Sequence, residues 1–297
     1  MKILVTGASG FVGKNLISRL SCKYRLYGFS RKKREGINYF KGDIANIEDL
    51  EKAIVNVDTV VHLAGLIRGS KKAFYTTNVL GARNLSILAA KHNIKKIIYV
   101  SSLAAKGPLE KNEPVSYYGY TKRLGELELL KNSHRYDLIV LRPPVIYGPN
   151  EQEVYKLIKF TKKTGIFFAI DDIRLSFVYV DDLIDAIDIA LQHKWDGPKI
   201  YTICENTYYD FFEIANIIAY HLGQNIKTVA FPRIILDAVF FGLKESGIFF
   251  DKINEIKAHL WVCKSNEFMR DFGFKVNHNL FSGMYKTIRW YRENGWL

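Results

Sequence analysis

A chain of 297 residues that is 48% apolar and 25% charged can bury a sizeable core, and its composition excludes the disordered, collagen-like and low-complexity classes. Its formal charge of +13 asks for an anionic ligand or partner. The densest basic run, Arg31 to Arg34, is short, and lysines such as Lys71, Lys91, Lys95 and Lys162 are dispersed, which fits solvated faces and a phosphate-bearing ligand better than nucleic acid.

Lys2 to Thr6 reads as a buried strand that runs into a turn with Gly7, Gly10 and Gly13, followed by a helix whose face carries Leu16, Ile17 and Leu20. This is the context of a nucleotide cradle. Gly7 makes the tight turn, Gly10 lets the backbone approach a pyrophosphate, and Gly13 lets the helix close onto the strand. The helix start points its N–H groups and positive dipole end at the ligand. Strand and helix patterns then alternate: strand Arg25 to Phe29, a short strand near Asn38 to Phe40, helix Ile47 to Val55, strand Thr59 to His62 and helix Ala73 to His92. Strand Ile97 to Ser101, helix Tyr118 to Leu130 and strand Leu138 to Leu141 complete the series. Repeated βα units with short connections predict a doubly wound α/β fold, a parallel sheet with ligands at the carboxyl ends of its strands.

After Arg142, Pro143 and Pro144 the pattern loosens into helix Val154 to Lys163, strand Ile166 to Ile170, strand Ser176 to Val180 and helix Asp181 to Gln192. Lys199 to Ile203 reads as one more strand of the first sheet. The remainder is helical and aromatic, with helices expected at Phe211 to Leu222, Ile234 to Leu243, Asn266 to Phe272 and Phe281 to Asn294. The most apolar stretch, Phe231 to Phe250, is interrupted by Arg233, Asp237, Lys244 and Glu245 and is not a transmembrane span. Cys22, Cys204 and Cys263 lie far apart without metal-ligand spacing, and the N-terminus carries no signal-peptide pattern. Reduced thiols in a cytoplasmic protein, with no metal site, are the expectation.

The chemistry concentrates at Ser102, Tyr118 and Lys122. Ser102 ends a central strand at the edge where substrate should sit. Tyr118 and Lys122 stand at i and i+4 on one helix face, so the ammonium is expected to stabilise a phenolate and lower the tyrosine pKa. Such a tyrosine exchanges a proton with a substrate oxygen while a nicotinamide exchanges a hydride at the same carbon, and Ser102 donates a hydrogen bond to the developing oxyanion. Tyr155 and Lys159 share the same spacing and read as an ordinary amphipathic face.

With these residues the chain resembles the extended short-chain dehydrogenase/reductases, the NAD(P)-dependent epimerase/dehydratase family, over nearly its whole length. Thr6 to Gly13, including Phe11 and Val12, looks like the family's opening motif, and Gly42, Asp43 and Ile44 match the element whose acidic residue and neighbour bind adenine. His62, Leu63, Ala64 and Gly65 resemble the stretch lining the cofactor after the fourth strand, and Asn78 matches a helix asparagine beside the active site. Arg142 to Pro149, with Pro143 and Val145, is similar to the segment whose backbone meets the nicotinamide. Val178 to Asp182 and Trp290 to Trp296 also look like family features. The resemblance implies a Rossmann-type domain, residues 1–150 with about 177–203, and a smaller, mainly helical substrate-binding lobe, residues 151–176 with about 204–297. It also implies a homodimer built on the helices that hold Asn78 and Tyr118. Residue by residue, Asp43 could equally be a turn or capping residue and His62 a satisfied core histidine, while Asp181 and Asp182 favour a structural role at a helix start.

The strand Leu26 to Ser30 ends without the acidic residue that an NAD ribose would use. Ser30 and Arg31 stand there, and a cation at this point suits a 2′-phosphate, so NADP(H) is expected over NAD. The substrate is expected to be a nucleotide sugar or an apolar hydroxy or keto compound. Phe167, Phe168, Phe211, Phe212, Phe240, Phe241, Phe249 and Phe250 are candidates for an apolar pocket or for core, while Arg174, Leu175 and Lys106 depart from patterns common among relatives. The competing readings are a non-catalytic NADP(H)-binding sensor or assembly protein, for which the Tyr118 to Lys122 constellation should be broken, and a nucleic-acid-binding protein with steeply salt-dependent binding.

Overall fold

The computed structural model describes residues 1–32, 37–231, 254–256 and 258–297; the helix expected at 234–243, residues 33 and 34 of the basic run, and the phenylalanines expected at 240, 241, 249 and 250 lie outside the described residues. Seven strands form one parallel sheet: β1 (Lys2–Thr6), β2 (Arg25–Ser30), β3 (Asn38–Lys41), β4 (Thr59–His62), β5 (Lys96–Val100), β6 (Asp137–Arg142) and β10 (Lys199–Thr202). Their order is β10-β6-β5-β4-β1-β2-β3. Every residue of β4 and β5 is buried, as a parallel sheet covered on both faces requires.

Alternation along the strands divides the core. Ile3, Val5, Val61 and Ile98 face α1 (Phe11–Leu20) and α7 (Val180–Gln192), while Leu4, Val60 and Ile97 face α2 (Ile47–Ile54), α4 (Gly81–Lys91) and α5 (Tyr117–Leu130). Charged side chains fasten these helices. Asn46 caps α2 by accepting from the Glu48 and Asp49 amides. Arg19 of α1 reaches Asp185 of α7 at 2.5 Å. Buried Lys96 donates to the carbonyls of Ala190, Leu191 and His193 at the end of α7, and burial holds its pKa below the usual lysine range. Asp181 and Asp182 lie in the first turn of α7, and Asp182 accepts from the Asn277 and His278 amides at 3.1 Å each, a structural role.

The helix expected over Ala73 to His92 is three segments: α3 (Lys71–Phe74), a π-helical turn at Tyr75–Leu80, and α4. A π-turn widens the helix by one residue, a device common at functional sites. The region after Arg142 is less helical than the sequence suggests. It adds a four-stranded sheet of β7 (Val145–Tyr147), β9 (Arg174–Tyr179), β11 (Tyr208–Asp210) and β13 (Leu260–Trp261), and a two-stranded sheet of β8 (Ile166–Ile170) and β12 (Lys227–Phe231). The sequence marked β8 and the core of β9; β7, β11, β12 and β13, two to five residues each, carry too little alternation to announce themselves. Helices α6 (Gln152–Thr164), α8 (Phe211–Leu222), α9 (Asn266–Phe272) and α10 (Leu280–Glu293) complete the chain. A separate core of Tyr147, Ile158, Phe167, Phe177, Ile218, Met284 and Tyr291 holds this region together. Among the described residues no helix is long and apolar enough to cross a membrane.

Candidate active site

The carboxyl ends of β1, β2 and β4 open onto a cleft of about 370 Å³. Gly7, Gly10, Arg31, Asp43, Ile44, Leu63, Ala64 and Gly65 line it, joined by Ser9, Phe29, Ser30, Lys32, Gly42 and Thr77. Gly7 has φ +69°, and a Cβ there would lie 2.7 Å from the Ala64 nitrogen, so this turn accepts only glycine. A Cβ on Gly13 would meet the Gly7 carbonyl oxygen at 2.5 Å, which is why α1 can start against β1. At Gly10 the same test meets only the Gly7 oxygen, at 3.1 Å. Gly10 is the N-cap of α1, no side chain caps that helix, and its first turn holds no acidic residue. The helix start is thus fitted to an anion, and the cleft fits the phosphates of a dinucleotide.

At the β2 end, Ser30 Oγ lies 2.9 Å from Ser9 Oγ and also meets the Tyr39 hydroxyl, while Arg31 and Lys32 are exposed on the rim. Across the cleft, Asp43 accepts from the Ala45 amide at 3.0 Å, so it forms a turn and lines the cleft at once. The Phe11 and Val12 side chains pack on the core beneath α1. Pro143 and Val145 follow β6, away from the lining of this cleft; the Pro143 carbonyl accepts from the Leu103 amide at 2.8 Å. Asn78 is buried in the π-turn, where it accepts from the Leu66 amide at 2.8 Å and donates to the Leu66 carbonyl and Thr121 Oγ1. It shapes the loop after β4, and a Cβ on cleft-lining Gly65 would lie 3.5 Å from its Oδ1.

Ser102, Tyr118 and Lys122 come together beside this cleft. Ser102 caps the turn Leu103–Ala105 by accepting from the Ala104 amide at 3.1 Å, and it is hydrogen-bonded to Tyr118. The start of α5 approaches that turn so closely that a Cβ on Gly119 would lie 2.3 Å from the Ala104 carbonyl oxygen. Lys122 is buried, donates to the Val100 carbonyl at 2.9 Å, and sits 4.4 Å above the Tyr99 ring. A Cβ on Gly65 would be 3.5 Å from Lys122 Nζ, so the ammonium borders the cleft wall. Burial sets both protonation equilibria. Tyr118 is pushed up to about 12, with the Ser102 hydrogen bond pulling it back and the nearby Glu255 carboxylate adding to the rise. Lys122 is drawn down to about 7, with Glu126 opposing. The lowering of the tyrosine pKa expected from Lys122 is not found: desolvation of the phenolate dominates, and the opposing pull comes from Ser102.

Behind these residues lies a network absent from the sequence reading. Glu126 is fully buried and receives Arg142 Nε at 2.9 Å, Arg142 NH2 at 2.5 Å and Ser101 Oγ at 2.5 Å. It follows Lys122 by four residues on the same helix face, a spacing that could have marked it. His62 is also buried, bonded to Thr6 Oγ1 at 2.7 Å and stacked on Tyr99; burial holds its pKa near about 3, so it is a neutral core residue. Tyr155 and Lys159 touch at 2.8 Å, but Tyr155 packs on Tyr291 and Trp296 in the second core. Phe167 is core and Phe168 and Phe212 are exposed; with Phe211 packed against the second core, none of the four lines the cleft.

The family model of the NAD dependent epimerase/dehydratase family matches residues 3–204. Among curated relatives, protein CapI of Staphylococcus aureus is 26% identical over 99% of each chain. The N-acetyl-alpha-D-glucosaminyl-diphospho-ditrans,octacis-undecaprenol 4-epimerase of Escherichia coli O157:H7 is 24% identical over 97% of this chain and 94% of its own. Among solved structures, MoeE5 in complex with UDP-glucuronic acid and NAD superposes with a TM-score of 0.84 at 20% identity, covering 99% of this chain and 100% of the other, and shows the same fold. With more than half of its length matched, the chain belongs to the NAD dependent epimerase/dehydratase family and is an enzyme of that family.

Proposed function

We propose that this enzyme interconverts a hydroxyl and a keto carbon on the sugar of a diphosphate-linked hexose, with Ser102, Tyr118 and Lys122 as its catalytic residues. The observation that carries the reading is their junction with the dinucleotide cleft: Gly65 lines the cleft and approaches Lys122, which shares a helix face with Tyr118. A bound nicotinamide supplies the hydride donor or acceptor. Tyr118 rests as a phenol at neutral pH, the form that donates a proton to a carbonyl oxygen; Ser102 holds that oxygen, and Lys122, drawn down to about 7 and so only partly protonated at neutral pH, favours the phenolate left behind in its charged form. Diphosphate-linked hexoses are the substrates named for the undecaprenol-linked epimerase and the ligand held by MoeE5, and a basic chain suits them.

The cofactor in this reading is NADP(H), because Arg31 and Lys32 border the cleft at the end of β2 where no carboxylate stands. Residues 1–150 with about 177–203 bind it, and residues 151–176 with about 204–297 form the substrate lobe. The enzyme acts as a homodimer, supported by half-exposed Tyr75, Ile87, Tyr120 and Leu127 on the π-turn, α4 and α5. It works in the cytoplasm, where three cysteines without a disulfide are at home. Replacing Tyr118 with Phe should lower turnover by about 10²–10⁴-fold while cofactor affinity is kept; an active Tyr118→Phe enzyme removes Tyr118 as the proton-transfer residue. Turnover of UDP-hexoses by purified protein without added nucleotide supports an epimerase, whereas stoichiometric NADPH consumption with a carbonyl compound points to a reductase instead.

A further inference from the structure

Away from the cleft, the β8–β12 sheet turns one face into the second core and the other outward. Phe167 and Ala169 are buried, so alternation sends Ile166, Phe168 and Ile170 to the outer face. The parallel register pairs these with Lys227, Val229 and Phe231, which share that face. Phe160 of α6 extends it. The Phe160 and Phe168 ring centroids are 5.7 Å apart and those of Phe168 and Phe231 are 5.5 Å apart. These three rings are 43%, 45% and 36% exposed, a fate unusual for phenylalanine and more so for three in contact.

Lysines rim one end of the face. The Gly165 carbonyl, just past α6, accepts from the Lys227 amide at 2.8 Å, so β12 begins beside the last turn of that helix and its Lys162 and Lys163. All three lysines are exposed, and none pairs with a carboxylate among the described residues. Asp171 and Asp172 follow β8 at the opposite end, so charge along the face runs from basic to acidic.

Aromatic and branched apolar side chains flanked by ammonium groups match the boundary between acyl chains and anionic headgroups, where rings enter the hydrocarbon and lysine stems reach outward. Nucleic acid would meet the lysines and stack on the rings, but it offers nothing to Ile166, Ile170 and Val229. We propose that the outer β8–β12 face, with Phe160, docks the enzyme peripherally on an anionic lipid bilayer. This surface is independent of the cleft chemistry.

Co-sedimentation of the full chain with vesicles tests it. Binding is expected to phosphatidylcholine–phosphatidylglycerol vesicles at low salt, with little to phosphatidylcholine alone. Neutralising Lys162, Lys163 and Lys227 to Gln should weaken partitioning by about fivefold for each lysine. The pair Phe168→Ser and Phe231→Ser should weaken it by about tenfold or more at the same salt, with dinucleotide binding retained as the check on folding. Absence of binding to the anionic vesicles, or equal binding by both variants, overturns the proposal. So does self-association or oligonucleotide binding that the phenylalanine variant loses when no vesicle binding is seen.

Discussion

Replacing Glu126 with Gln tests whether the buried network behind the candidate active site holds it together. The change keeps the side-chain shape and one carbonyl oxygen, so Arg142 Nε and Ser101 can retain an acceptor, but it leaves the Arg142 guanidinium, 5% exposed, facing an uncharged partner. Arg123, 3.6 Å away at the helix surface, adds a second cation to the same spot. Removing one member of a buried pair costs about 3–5 kcal/mol, and the retained hydrogen bonds place this substitution near about 3 kcal/mol. For a chain of this size that is a fall of about 5 °C in Tm. The double variant Glu126→Leu, Arg142→Met removes both charges and should be less destabilised than Glu126→Leu alone, since the desolvation cost disappears with the pair. Thermal and urea unfolding of these three variants and of Arg142→Met alone provide the measure. If Glu126→Gln melts within about 2 °C of the parent, or if the double variant loses the sum of the singles, the network contributes nothing as a pair and the reasoning fails.

Burial pushes Glu205 up to about 8 from an ordinary 4.5, with hydrogen bonds from Tyr209 and the Leu280 backbone pulling the other way. The folded chain therefore keeps a proton between those two values that the unfolded chain has released. Its contribution is full below pH about 4.5 and is lost as pH rises toward about 8, at up to about 1.4 kcal/mol per pH unit. Glu205→Gln should abolish that slope, so its urea midpoint gains on the parent's between pH 5 and 8; parallel midpoints would contradict this. Gly13→Ala forces a Cβ to within 2.5 Å of the Gly7 oxygen and should cost about 1–3 kcal/mol along with dinucleotide affinity. Gly10→Ala, with its nearest atom at 3.1 Å, should weaken affinity with much less loss of stability, a split that cofactor titration and melting resolve. Arg31→Ala should lower NADP(H) affinity by about tenfold and leave NAD(H) almost unchanged; equal or tighter NADP(H) binding by the variant refutes the role of Arg31.

The parallel sheet was legible because its strands are continuous apolar runs, and β10 could be assigned to it from Lys199 to Ile203 alone. The glycine turn was legible for the same local reason: Gly7, Gly10 and Gly13 answer to steric demands within one strand–turn–helix. What escaped depends on distant partners. β13 is two residues long and exists because β9 offers an edge to Leu260 and Trp261. Glu126 drew no attention because its partner Arg142, sixteen residues on, returns along β6 to meet it only in the fold. Asn78 could be placed beside the active site by resemblance, but its bonds to Leu66 and Thr121 join segments far apart in the chain and could not be read locally.

Two tyrosine–lysine pairs at i and i+4 separate what spacing provides from what environment provides. In Tyr155 and Lys159 the spacing yields a direct hydrogen bond, with the lysine exposed and the phenol already donating to the Trp296 carbonyl. That phenol has a fixed partner and packs in the second core. In Tyr118 and Lys122 the lysine is taken by the Val100 carbonyl and the Tyr99 face, and the phenol is left to Ser102. Burial then raises the phenol's pKa and lowers the ammonium's, so both groups are pushed toward their neutral forms. A site buried this way is sensitive to any charge brought beside it, because an added cation acts on the phenol across a desolvated space and adds to the support that the Ser102 hydrogen bond gives a phenolate. The second pair, solvated and spoken for, has no such response. Spacing on a helix therefore puts two side chains on one face, while the neighbours that the fold brings to that face decide which partners and protonation states they keep.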